Sequence, residues 1–263
     1  MATILKTLAY EEIAKDPLAL LLKSYKTSIK LPIKISEELL HYINERDLGI
    51  TENHLRIFKI IDCQFTRIIL QGNKLIDYNC FELFQGKHIE SLEIDNLACS
   101  NFKWLEYIES NHLKALKISR GKVALATMYN DTFLSRHIVH LKNIVDLNVS
   151  WCYITNESLN DFALNLINLE TLNLSFNNVN NFAPLSKLKK LHTLDCSMKI
   201  SFWSCDTFSS LLTLENIKKM IVSTEVSGSH DLELDDFLNH AKYSQIKSLD
   251  IHGYFIKDEG NLV

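Results

Sequence analysis

The residues in this chain that could do chemistry are scattered, and none sits in a pattern that chemistry requires. His137 and His140 lie three apart on an expected helix and could begin a metal site. No third ligand accompanies them at a metal-binding spacing, so they read as surface or packing histidines. Ser229-His230-Asp231 is contiguous, whereas a catalytic triad needs its groups to converge in space. The glycines, at 49, 72, 86, 121, 228, 253 and 260, form no G-x-G-x-x-G, phosphate loop or G-x-S-x-G. Cys63, Cys80, Cys99, Cys152, Cys196 and Cys205 contain no C-x-x-C pair and read as reduced thiols, mostly buried. No catalytic residue, metal or cofactor is expected, and the chain is read as a non-enzyme.

Charge narrows the partners. Lys and Arg total 28 against 32 Asp and Glu, a net charge of −4, which argues against nucleic-acid binding. Glu11, Glu12 and Asp16 fall where a signal peptide would need its apolar core. No run approaches the roughly 18 apolar residues that cross a bilayer. A cytoplasmic or nuclear protein is expected.

The elements that must position any site come from a repeat. From Phe65 onward the chain repeats apolar-x-x-apolar-x-apolar eight times, with central residues Ile68, Leu92, Leu116, Leu147, Leu172, Leu194, Met220 and Leu249. The gaps are 24, 24, 31, 25, 22, 26 and 29 residues, mostly within the range of leucine-rich repeats. Only the 116-to-147 gap is longer, and a fuller helix is expected in its Leu125–Leu141 segment. Alternating apolar positions in a short strand point to one side, and stacked strands join those sides into one core. The expected fold is an α/β leucine-rich-repeat horseshoe. The repeat Leu169-Glu-Thr-Leu-Asn-Leu-Ser-Phe-Asn-Asn-Val179 is nearly ideal, with Asn177 placed to bond turn backbone. Cys152 and Asn73 fill the same slot, whereas Leu97, Gly121, Lys199, Glu225 and Tyr254 make other repeats irregular.

Residues 1–64 read as a helical module and 65–263 as the repeat domain. Ile4, Leu5, Leu8, Ala9 and Ile13 recur at helical spacing, with Thr3 able to cap. Asp16-Pro17 opens a second helix lined by Leu18, Leu21, Leu22 and Tyr25. Ser36 is expected to cap a third, with Glu37 and Glu38 in its first turn and Gly49 ending it. A fourth starts near Thr51 and uses Leu55, Phe58 and Ile61. These helices are also suited to cover the first repeat, whose apolar end would otherwise be open.

Two segments of this module resemble known adaptor-binding motifs. Leu5, Ala9 and Ile13 stand at the positions of the BC box, the helix by which some ubiquitin-ligase receptors bind elongin B/C. Ala9 replaces the usual Cys, and Ile4 stands where Ser, Thr or Pro is usual. Positions i, i+4 and i+8 share a helix face and can enter an apolar groove. Leu31-Pro32-Ile33-Lys34-Ile35-Ser36-Glu37-Glu38-Leu39 resembles the cullin-2 form of the cullin box, with Leu31, Pro32, Ile35 and Leu39 on its pattern. The cullin-5 form has a second Pro where Lys34 stands. The order of these segments before leucine-rich repeats resembles the zyg-eleven/zer-one family of cullin-2 substrate receptors, as does the stretch Asp236-Phe237-Leu238 to Gly253. The resemblance implies elongin B/C and cullin-2 as partners and a protein substrate. The family's armadillo-like repeats, which recognise N-terminal glycine degrons, do not follow before Val263, so that recognition is not expected to carry over. Leu31-Pro32 before apolar helices also resembles the start of an F-box, and a scaffold with no ligase link is a third reading.

Substrate candidates come from the residue four past each central apolar position. In three consecutive repeats it is Trp151, Phe176 and Met198. Strands about 4.8 Å apart would set them side by side, facing either solvent or core. The row before them, Ser119, Ser150, Ser175, Ser197 and Ser223, reads as a turn feature.

Overall fold

The computed structural model describes residues 2–15, 30–45, 49–71, 75–76, 78–95, 98–99, 102–119, 132–197, 205–223 and 245–252. The chain forms two compact units, 1–129 and 130–263.

The first unit opens with helices α1 (Ala2–Lys15), α2 (Ile33–Asn44) and α3 (Glu52–Ile60). Strands β1 (Arg67–Gln71), β3 (Ser91–Asp95) and β5 (Ala115–Ser119) pair in parallel. Ile68 stands opposite Leu92, and Leu92 opposite Leu116. All three are 1% exposed, so the frame residues form one cross-strand row of the core. Two-residue strands β2 (Leu75–Ile76) and β4 (Ala98–Cys99) form a second parallel strip. The 3-10 turns Tyr78–Phe84 and Lys103–Tyr107 bury Phe81, Phe84, Trp104 and Leu105. Phe81 and Trp104 stack with ring centroids 4.8 Å apart.

An outer strand of a parallel sheet presents unpaired N–H and C=O groups. Here α2 satisfies them with side chains. Glu37 accepts hydrogen bonds from the Thr66 N–H, the Arg67 N–H and the Thr66 hydroxyl at 2.9–3.0 Å. Asn44 donates to the Ile69 carbonyl and accepts from the Gln71 N–H. The Ile50 N–H donates to the Gln71 carbonyl at 2.8 Å. Leu39, Leu40 and Ile43 of α2 are buried beneath these contacts.

Burial by itself would raise the Glu37 carboxyl. The Arg67 and Thr66 N–H groups, the Thr66 hydroxyl and the Arg67 charge outweigh it and hold the pKa below the usual value. Stability from this group is therefore present above the unfolded value of about 4.3 and fades as pH falls through the folded one. Glu37→Ala is expected to cost about 1–3 kcal/mol at pH 7. Chemical denaturation at pH 7 and again below pH ~4 checks it, because the penalty should shrink in acid.

Two helix boundaries differ from expectation. Helix α2 begins at Ile33 with Pro32 as its N-cap, so Ser36 is not the cap. Its hydroxyl instead donates to the Leu31 and Pro32 carbonyls and accepts the Gln64 N–H. The Leu31-Pro32 turn already has a proline-fixed φ, and Ser36 ties it to the chain entering β1. The helix ends at Asn44, five residues before Gly49. Gly49, at φ 58°, serves the turn that delivers Ile50 to the sheet edge. Helix α3 starts next to Thr51, as expected, and Thr51 is its N-cap, in a reciprocal box with His54. The helix read after Asp16-Pro17 lies outside the described residues.

The second unit alternates return elements with strands. They are α4 (Thr132–Ile138), β6 (Asp146–Asn148), α5 (Asn156–Asn165), β7 (Thr171–Asn173), a 3-10 turn Ala183–Lys187, β8 (Thr193–Asp195), α6 (Cys205–Leu212), β9 (Lys219–Ser223) and β10 (Ser248–His252). All five strands pair in parallel and in chain order. Leu147, Leu172, Leu194, Met220 and Leu249 form one register row. The first four are 0% exposed, worth about 1.5–3 kcal/mol each. The longer repeat contains helix α4, inside the expected Leu125–Leu141 segment. Asn73, Leu97, Gly121, Lys199, Glu225 and Tyr254 lie outside the described residues.

Candidate functional site

At the end of each strand in the second unit the chain turns on a side chain. Asn148 accepts the Ser150 N–H at 3.0 Å, Asn173 accepts that of Ser175 at 2.8 Å, and Asp195 that of Ser197 at 3.1 Å. The three serines are at most 8% exposed. These three members of the serine row are therefore part of the turn, whereas Ser119 and Ser223 are the last residues of β5 and β9. One residue further on, the Trp151 N–H donates to the Ser175 carbonyl and the Phe176 N–H to the Ser197 carbonyl.

Trp151 and Phe176 both have φ 58°. This left-handed region is rare for bulky residues and costs about 1–2 kcal/mol. It persists because the neighbouring backbone is fixed. Asn177, 3% exposed, accepts the Cys152 and Ile154 N–H groups and donates to the Val149 and Leu174 carbonyls. The result is a stacked pair, with ring centroids 4.6 Å apart and planes inclined by 20°. Both rings are partly exposed, so neither is wholly core and neither stands free. Tyr153, also partly exposed and at φ 58°, is a third aromatic in this turn that the repeat frame does not single out. Only the backbone conformation reveals it. Met198 lies outside the described residues.

Trp151→Ala is expected to cost about 1–2 kcal/mol. That is the stacked pair's own 0.5–1.5 kcal/mol plus some lost burial, below the roughly 3–5 kcal/mol of a core aromatic. Thermal denaturation of Trp151→Ala and Phe176→Ala measures it, and a core-sized loss in both would assign the rings to the core.

In the first unit, Leu5, Ala9 and Ile13 fall on α1. Ala9 is exposed and Ile13 partly exposed, while the Leu5 side chain lies outside the described residues. Tyr10, on a different face, docks the helix. It is 9% exposed, and its ring lies 5.8 Å from that of Tyr42 on α2. The Ala14 carbonyl meets His54 of α3. At about 100° per residue, the Leu5–Ala9–Ile13 stripe is centred roughly 120° from the Tyr10–Ala14 face.

The cullin-box positions separate. Pro32 is exposed, Leu31 and Ile35 are partly exposed, and Leu39 is 0% exposed. Leu39 thus anchors α2 from beneath, and only Leu31, Pro32 and Ile35 of the pattern can be touched from outside. Ile33, 44% exposed, joins them. The motif leaves that position unspecified.

Among the described residues, no group of three or more His, Cys, Asp or Glu is arranged to hold a metal. Burial pushes the Cys63 thiol up to about 11 and the Cys196 thiol well above its ordinary value, so neither is a ready nucleophile. Ser229-His230-Asp231 lies outside the described residues. No helix among them is long and apolar enough to cross a membrane.

Parallel strands in register, joined by short return elements and an asparagine buried in the turn, are the geometry of a leucine-rich-repeat fold. The family comparison agrees. Residues 167–210 match Leucine Rich repeats (2 copies). The fold is an α/β leucine-rich-repeat solenoid.

No curated protein matches the chain. Among solved structures, the chain is similar to internalin C2 of Listeria monocytogenes, at 15% identity over 81% of each chain with a TM-score of 0.47. It is also similar to TLR13 in a complex with ssRNA13, at 16% identity and a TM-score of 0.47. That match covers 76% of this chain and 31% of the TLR13 chain.

Proposed function

We propose that this protein is a non-catalytic, cytoplasmic or nuclear substrate receptor of a cullin-2 ubiquitin ligase, similar to the zyg-eleven/zer-one receptors. It would bind elongin B/C through α1 and cullin-2 through the start of α2, and offer its repeats to a protein substrate. The observation that carries the reading is the division of labour on α1. Tyr10 docks the helix on α2, while Ala9 and Ile13 of the BC-box stripe lie on another face and keep solvent access. The exposed Pro32 and Ile33 add an apolar surface at the start of α2. Affinity purification of the full chain with mass spectrometry tests it. Elongins B and C with cullin-2 are expected, and a Skp-type adaptor in their place would favour an F-box-like receptor.

A second reading has its own observation. Glu37 and Asn44 satisfy the β1 edge while Leu39 and Ile43 fill the core. A repeat scaffold with no ligase link needs the helices for that alone. Failure of every adaptor to co-purify would support it.

Changing Leu31-Pro32 to Ala-Ala is expected to weaken cullin-2 capture while elongin B/C capture survives. Equal capture of cullin-2 and cullin-5 by the unmutated chain would contradict the cullin assignment.

A further inference from the structure

In the described strands of the second unit, the face away from the core carries Asp146, Asp195 and Asp250 against Lys219, with His252 at the end of β10. Three residues past Asn148 and Asn173, the same strands lead into the Trp151–Phe176 stack. We propose that this face binds an extended segment of a partner protein bearing two basic residues three positions apart, beside a flat or aliphatic side chain that packs on Trp151 and Phe176. The proposal rests on the repeats being a partner surface and does not need the ligase link.

Asp195 supplies the main argument. The turn it makes is made equally by neutral Asn148 and Asn173 in the two preceding repeats, each accepting the N–H of the serine two residues on. The turn itself therefore needs one oxygen acceptor and no charge, while the second Asp195 oxygen also accepts the Asn173 amide at 3.0 Å. Asp195 nevertheless places a carboxylate there. Burial and the negative charge of Asp250 both disfavour its ionised form, against hydrogen bonds from Ser197 and Asn173. An arriving cation would relieve that penalty, whereas an acidic partner would deepen it.

Spacing selects the shape of the partner. Asp195 and Asp250 both stand opposite Ile221, one on either side. Two strand separations place their backbones about 10 Å apart, close to the rise of three residues in a polyproline-II segment, which returns every third side chain to the same face. Ile221, partly exposed between them, offers an apolar floor for the intervening residues. Arginine suits the pattern best, because its planar guanidinium pairs with carboxylates and also stacks on aromatic rings.

The test uses the full chain and fluorescent ten-residue peptides containing two arginines three apart and one leucine or tyrosine. Matched peptides carry glutamate in place of arginine. Fluorescence anisotropy should show binding of the arginine set at least about tenfold tighter than the glutamate set, weakening from about 0.05 to 0.5 M salt. Asp195→Asn keeps the turn acceptor but gives up the bond from the Asn173 amide, so its melting temperature is measured alongside, and it should weaken binding about tenfold. If that variant melts early, Asp250→Asn replaces it. Trp151→Ala should remove most of the remaining binding. Absence of arginine selectivity, or binding unchanged in the Asp variants, would overturn the proposal. Elongin B/C capture by the same preparations reports on the ligase reading separately.

Discussion

Asn177→Leu is expected to lower the melting temperature by roughly 10 °C or more. The side chain is 3% exposed and bonds five backbone groups of two successive turns, the Ser175 carbonyl at 3.4 Å being the longest contact. Leucine has a similar size and no hydrogen-bonding atoms. The Cys152 and Ile154 N–H groups and the Val149 and Leu174 carbonyls would lose this partner together. Each buried group left without one costs about 1–3 kcal/mol. Even with local rearrangement the sum reaches about 4 kcal/mol, against a total stability of roughly 5–15 kcal/mol. At about 2–4 °C per kcal/mol for a chain of this size, the shift is easily read by circular dichroism. Asn178→Ala is the control. Asn178 is exposed, and its substitution should change stability by no more than about 0.5 kcal/mol. Similar melting of the two variants would show that Asn177 does not support the turn. The same substitution should also disturb the Trp151–Phe176 stack, because the bonded groups flank both residues.

The second large effect is expected in binding. Replacing Leu5 and Ile13 with serine should abolish elongin B/C capture while the repeats stay folded. Losing buried apolar anchors at an interface costs about 2–4 kcal/mol, or roughly 30- to 1,000-fold in affinity. Ile13 is partly exposed and lies off the Tyr10 face, so its removal should spare the α1–α2 contact. Tyr10→Ala provides the contrast. It removes the ring against Tyr42 and the hydroxyl contacts to Ile35 and Glu38, so it should loosen α1 and lower stability. Pull-down with purified elongin B/C, alongside thermal melting, separates the two. Undiminished elongin capture by the Leu5/Ile13 double variant would sink the α1 assignment.

The repeat architecture was legible because its signal is redundant. Ile68, Leu92, Leu116, Leu147, Leu172 and Leu194 each carry the same instruction, and burial of one requires burial of its neighbours. Asn177 was legible for a related reason, since an Asn at that slot of an otherwise ideal repeat has few uses besides bonding turn backbone. The helix boundaries were less legible. Ser36 has the type of an N-cap, and capping chemistry is local. Its hydroxyl is instead taken by Leu31, Pro32 and Gln64, and Gln64 is 28 residues away, which no local pattern encodes.

What the sequence by itself determined is the row of frame residues that faces the core in each repeat and the order in which the strands of each unit stack. Periodicity is a property of the chain, and a parallel stack follows from it. What only the tertiary structure decided is how polar and aromatic groups divide between structure and surface. Glu37, read as a first-turn acid, became the acceptor for the outer edge of β1. Leu39, read as a cullin contact, became core, while its unremarked neighbour Ile33 stayed exposed. Trp151 and Phe176 could have faced either way on pattern alone. Their left-handed backbone, held by N–H donation to carbonyls of the next repeat, stacks them with partial exposure. In each case the deciding partner is distant in sequence, and hydrogen bonds and ring contacts at that range depend on three-dimensional placement that residue spacing does not specify.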